Sequence, residues 1–167
     1  MPYSRKPMAS VETQKPQFVT VGDNPARVFG MGSADRANAL AVKSRLEPVD
    51  RAEPARSTIY ADLNWTWDPE WLTAMAEKPG TVLTKEGHPV LAHVAADGDP
   101  AQVLAAMLSG AKYEGGSLER IDSDTADFSQ RRSLDSQNTR VYRFYQIREY
   151  LVFWTERKDR SHVALSR

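Results

Sequence analysis

The chain has no cysteine. Disulfide frameworks, thiolate zinc sites and cysteine nucleophiles are therefore excluded. It has no excess of charge: 22 Lys+Arg balance 22 Asp+Glu across 167 residues. A zero balance gives no overall field for holding nucleic acid non-specifically, so nucleic acid is not an expected partner. No apolar run approaches the roughly 18–20 residues that span a bilayer. The first residues, MPYSRKPMASVETQKPQF, contain no apolar core of a secretory signal. These absences lead to the expectation of a cytoplasmic globular domain with a hydrophobic core.

What is present divides the chain into three parts. Residues 1–26 are polar and punctuated by Pro2, Pro7, Pro16 and Pro25. They carry too little apolar surface to offset ordering entropy and are expected to form a disordered tail. Phe18 to Val21 is the one stretch of it suited to an edge strand. Residues 27–154 are expected to form a single α/β domain, and the charged residues 155–167 a frayed C-terminal tail.

Within the expected domain, Arg27-Val28-Phe29-Gly30 reads as an opening strand and Ala34 to Arg45 as a helix, with Ser33 as its N-cap. Residues 47–56 read as a connection and Ser57 to Leu63 as a strand. Asp68-Pro69-Glu70 is a helix start: a capping carboxylate, a proline suited to the first helical position and an acid at the positive helix end. Thr81 to Thr84 and Pro89 to Val94 flank Lys85-Glu86-Gly87-His88, the pattern of a hairpin. Asp99-Pro100 opens another helix, and residues 117–139 read as a long loop. The alternation favours a three-layer α/β sandwich with a mixed, partly parallel sheet. The block Arg140 to Arg148 interleaves arginine with aromatics. In a neutral chain this reads as a core element with snorkelling arginines, not as an RNA surface.

Several constellations bear on chemistry. Gly30-Met31-Gly32-Ser33 leads from a strand into a helix, a geometry that sets phosphate oxygens against helix N–H groups, although it equally makes a plain tight turn. Arg36 follows in the first turn, either clamping an anion or lying on a solvated face. Three tryptophans crowd Leu63 to Leu72. Trp71 reads as core, whereas Trp65 and Trp67 suit either packing or stacking. Asp62 stands at a strand end, where α/β folds place ligand sites; a capping carboxylate is the plainer reading. His88 reads as a turn residue and His93 as a strand residue. Five positions apart on a strand, they lie about 16 Å from each other and on opposite faces, so they cannot share a metal without a sharp bend. There is no G-x-S-x-G elbow and no Walker sequence.

Three stretches together resemble the nucleotidyltransferase-like domain that precedes some CDP-alcohol phosphotransferases. They are Arg27 to Gly30 with Asp35-Arg36, then Asn64-Trp65-Thr66-Trp67-Asp68-Pro69-Glu70-Trp71-Leu72, and Pro79 to Thr84 with Gly87 to Val94. The resemblance covers roughly residues 27–110. It implies a nucleotidyltransferase-like fold and a nucleotide site in which Gly30, Gly32, Ser33 and Arg36 surround phosphate. Asn64 and Trp65 would lie near the metal and sugar position. The departures are chemical. Asn64 stands where that family has its metal-binding aspartate, and an amide is a poor ligand for Mg²⁺. Arg36 stands four positions past Gly32, and the loop has two glycines.

The resemblance thus implies a degenerate nucleotidyltransferase-like domain. Such a domain would bind or dock in CDP-alcohol metabolism without turnover and require no cofactor. Its implied partners are a cytidine nucleotide and a membrane-embedded phosphotransferase. An active Mg²⁺-dependent sugar- or polyol-phosphate nucleotidyltransferase, with Asp62 taking over the metal, is the first alternative. A protein-interaction module without ligand is the second.

Overall fold

The computed structural model describes residues 14–28, 30–123 and 141–143. Its centre is a six-stranded mixed sheet. In chain order the strands of that sheet are β1 (Gln17–Val21), β4 (Glu47–Pro48), β5 (Thr58–Asp62), β7 (Thr81–Lys85), β8 (His88–Val94) and β9 (Glu119–Asp122). In space they run β4-β1-β5-β8-β7-β9, and β8 alone is antiparallel to its neighbours. Two small ribbons flank this sheet. One pairs β2 (Arg27–Val28) with β3 (Met31–Gly32), and the other pairs β6 (Trp65–Trp67) with β10 (Val141–Arg143). The helices are α1 (Ser33–Lys43), α2 (Pro69–Ala76) and α3 (Ala101–Ser109).

Alternation along the strands sorts the core into two clusters, one on each face of the sheet. Phe18, Ile59, Ala61, Leu83 and Leu91 meet Ala37 and Ala41 of α1 and Trp71, Leu72 and Met75 of α2. Val21, Tyr60, Val82, Ala92 and Val94 meet Val103 and Met107 of α3. The result is the expected layering, with α1 and α2 on one face and α3 on the other.

The expected tail boundary at residue 27 is corrected. Gln17–Val21 is an interior strand, parallel to β4 on one side and to β5 on the other, and Phe18 is fully buried. Composition concealed it because four prolines and many polar residues surround five that alternate between two buried faces. Arg27-Val28 is correspondingly a two-residue arm of a small ribbon, not the strand that opens the core. The expected loop at 117–139 contains β9, a charged edge strand whose residues Glu119 and Arg120 are exposed. The expected domain limit at 154 and the C-terminal tail lie outside the described residues.

Other elements fall where local chemistry puts them. The β7–β8 hairpin turns through Glu86 and Gly87, with φ of 52° and 82°. Two consecutive left-handed residues make the turn type whose twist matches the strands, and glycine carries the second at no steric cost. Pro69 occupies the first turn of α2, after Asp68 at the N-cap. Ser33, expected as an N-cap, is instead the first residue of α1, and Gly32 is the cap.

His93 lies at the centre of the α1/α2 face, 1% exposed. Its Nδ1 is 2.6 Å from the Met75 carbonyl oxygen at the end of α2, which fixes the proton on Nδ1, while buried Nε2 has no hydrogen-bond partner among the described residues. Burial pushes the imidazole below its ordinary 6.5, and the Met75 carbonyl offsets part of that shift. The unfolded chain therefore binds the proton more readily. Stability is complete above about pH 6.5 and declines as pH falls through that value toward the folded-state pKa. Urea midpoints measured from about pH 8 to about pH 5 are expected to show this decline in wild type and a shallower one in His93→Leu, with the other two histidines unchanged.

Candidate functional site

In open α/β sheets ligands bind outside the carboxyl ends of parallel strands, where neighbouring strands send their connections in opposite directions. This sheet has such a point between β1 and β5. The chain leaving β1 passes through α1 to β4 on one side, and the chain leaving β5 passes through α2 to β7 on the other. The two strand ends are held together there. Val21 pairs with Asp62, and the Leu63 N–H donates to the Val21 carbonyl at 3.0 Å.

The segment leaving β1, through the small ribbon into α1, carries four of the expected site residues. Gly30 is exposed, with φ of 79°. Gly32 caps α1 and brings no side-chain hydrogen bond to the first-turn N–H groups. Ser33 is buried, and its hydroxyl donates to the Asn24 carbonyl at 2.8 Å. That bond ties the helix start back onto the loop after β1, so the hydroxyl has a structural partner.

Arg36 is half-buried one turn further along and donates from Nη1 to the Thr66 hydroxyl of β6. Burial lowers its pKa, and the charge of Asp68 offsets part of that shift. One arginine therefore joins the segment after β1 to the segment after β5, across the switch point.

The end of β5 and the start of β6 carry the other three. Asp62 is 4% exposed, and its Oδ1 accepts the Asn64 backbone N–H at 2.9 Å, an Asx turn that closes the strand end. By alternation Asp62 shares the face of Val21 and Tyr60, toward α3, whereas Arg36 belongs to the helix on the opposite face. Asn64 is exposed. Trp65 is buried in the core with Trp67 and Trp71, which places both tryptophans left open by the sequence in the packing layer.

The structure thus brings Gly32, Ser33 and Arg36 to one helix start and links them to Thr66. Asn64 stands on the neighbouring loop, and Asp62 and Trp65 are committed to the fold. Two participants were not singled out from sequence. Thr66 is a small residue between two tryptophans, and its hydroxyl gives no signal of its own. His88 was read as a turn residue, yet its ring lies 6.1 Å from that of Trp65, tilted by 35°.

Among the described residues no group of three or more His, Asp or Glu could hold a metal ion. Among the described residues, too, no helix is long and apolar enough to cross a membrane. Comparison with protein-family models, curated proteins and solved structures finds no match to this chain.

The Asx turn makes a measurable claim about Asp62. Replacing Asp62 with Ala removes a buried acceptor from a backbone N–H and is expected to cost about 1–3 kcal/mol. Asp62→Asn keeps an oxygen there and is expected to retain most of that stability, as read from urea denaturation of both variants.

Proposed function

We propose that this chain is a nucleotide-binding domain of the nucleotidyltransferase-like kind that binds a phosphate ester without turning it over. The observation that carries the reading is the Arg36 bridge. It sets a half-buried guanidinium, held to Thr66, beside the start of an 11-residue helix at the β1/β5 switch point. Phosphate bound there would meet first-turn N–H groups, the positive end of the helix dipole and an arginine able to pair with two oxygens. Gly30 leaves open space on the approach, while the Asp35 carboxylate lies 3.6 Å from where a Cβ on Gly32 would stand, so a phosphate would have to displace it. Asn64 is the exposed polar group on the facing loop.

Turnover is the weaker reading because of Asp62. In-line transfer between phosphates relies on a divalent cation to offset the developing charge. The carboxylate that would replace the family aspartate has one oxygen on the Asn64 amide and points toward the α3 face. The resemblance makes CTP the first nucleotide to try. It also makes a phosphotransferase of CDP-alcohol metabolism the proposed docking partner, with a binding role in the cytoplasm.

Calorimetric titration with CTP, with and without Mg²⁺ and alongside a pyrophosphate assay, tests the reading. Saturable binding without pyrophosphate is expected. Mg²⁺-dependent pyrophosphate would establish an active transferase, and no heat would leave the interaction module. Arg36→Ala is expected to weaken binding at least about tenfold, the loss of one charged hydrogen-bonding partner. His88 touches Trp65 and is a poor neutral control. Lys112→Ala serves better: Lys112 follows α3, which packs on the sheet face opposite α1, and binding should be unchanged.

A further inference from the structure

Among the described residues three large apolar side chains are exposed: Met31, Val42 and Leu108. Leu108 belongs to α3, on the other face of the sheet. The remaining two share one side of the molecule. Val42 lies on α1 and is 62% exposed, and Met31, two residues before the helix, is 42% exposed.

The two sides of α1 have different surroundings. Ser33, Ala37 and Ala41 are buried against the sheet side. Asp35, Ala39, Val42 and Lys43 are all exposed. At 3.6 residues per turn these four fall within about 100° of one another, opposite the buried three. The outer face is therefore one surface, with Ala39 and Val42 at its middle and a charge toward each end.

The order of residues on this face is self-complementary. Asp35, Ala39 and Lys43 are spaced four and four, so they form one row along the helix. The row has an acid at its N-terminal end, a methyl group at its centre and a base at its C-terminal end, about 12 Å from first to last. A two-fold axis through Ala39 lays the row on its own reverse and sets the Asp35 of each copy against the partner's Lys43. Helices cross in this way at about 50° when such rows run alongside each other, the commonest class of helix packing. Ala39 at the crossing allows the axes to approach to about 8 Å. Reversal also opposes the two helix dipoles. A parallel pair would instead set Asp35 on Asp35 and Lys43 on Lys43. The charges thus choose the direction, although exposed ion pairs contribute only about 0–1 kcal/mol each. Covering Val42 and Ala39 supplies the attraction.

We propose that the outer face of α1 is a self-association surface, on which two copies of this chain pair through antiparallel α1 helices with Ala39 on the two-fold axis. An 11-residue helix is about 16 Å long, and a contact of that length falls short of the roughly 800 Å² per partner of a stable interface. The dimer is accordingly weak and concentration-dependent. Because the same patch is used by both copies, assembly stops at two. The proposal stands apart from the phosphate reading, and its test contains no nucleotide.

Translational diffusion and amide shifts of the full ¹⁵N-labelled chain, followed by NMR from about 0.02 to about 2 mM, cover the range in which so small an interface assembles. Diffusion should slow toward that of two chains, with shifts centred on residues 31–43. Asp35→Lys alone and Lys43→Asp alone each set like charges at both ion pairs and should weaken association at least about fivefold. Mixing these two variants restores opposite charges at both pairs and should recover wild-type association, with added salt weakening it. Damage to the helix would not be repaired by mixing. Ala39→Arg puts bulk and charge on the axis at an exposed position where arginine is a good helix former, and should abolish association. A monomer at every concentration, shifts centred elsewhere, species larger than a dimer, or no recovery on mixing would overturn the proposal. Should either charge variant fail to fold, the wild-type shifts and Ala39→Arg still decide.

Discussion

The parallel pairing of β1 between β4 and β5 is the constraint on which the rest of the molecule depends. Parallel neighbours cannot be joined by a hairpin, so each pairing forces the chain to cross over a face of the sheet. One crossing carries α1 and returns as β4. The chain then passes β1 again to lay down β5 on its other side. The divergence of connections at Val21 and Asp62 follows from that placement. The opposite end of the same strand does a second job. The Gln17 side chain, at its first residue, holds Glu53, and the Gln17 N–H donates to the Ser57 carbonyl at 3.0 Å. A five-residue strand thereby fixes backbone at both of its ends.

Buried polar groups in this chain serve mainly to fix backbone. Gln17, Ser33, Asp62 and His93 are all buried, and each contacts a main-chain N–H or carbonyl. A made hydrogen bond of this kind contributes about 1 kcal/mol, but leaving its buried partner unsatisfied costs about 1–3 kcal/mol. Such groups act as locks: little is gained by having them and much is lost by removing one partner. That asymmetry separates them from groups able to meet a ligand. Asn64 is exposed and Arg36 is only half-buried, so both side chains keep access to solvent, although the Thr66 hydroxyl that Arg36 holds is itself buried.

Much of the layering was legible because local rules and global fold agreed. Asp68-Pro69-Glu70 started α2, Glu86-Gly87 turned the hairpin, and Trp71 went to the core. The failures have a common cause. β1 and β9 owe their strand state to neighbours, not to their own composition. Gln17–Val21 sits among prolines and polar residues, and Glu119–Asp122 has one apolar side chain in four. Pairing with β5 and with β7 organises them, and pairing partners are not visible in a local window. The site divided in the same way. The glycine turn and Arg36 were readable as a strand-to-helix pattern. Thr66 was not, because its role comes from a contact thirty residues away along the chain. Asp62 was readable both as ligand and as turn closer, and the Asn64 N–H accounts for the second role.

A chain with no net charge must discriminate between ligands through local fields. Arg36 shows how. Burial works against its charge, and Asp68 works to keep it, so the guanidinium is held as a cation in a place where water screens it poorly. A phosphate approaching α1 competes with Asp68 for that cation. It brings more negative charge than one carboxylate, and its oxygens match the planar fork of the guanidinium. Under the proposed reading Asp68 would act as a placeholder: its charge favours the Arg36 cation and would raise the threshold for weakly charged anions. Selectivity for a phosphate ester over a simple carboxylate would follow from that competition in the proposed site.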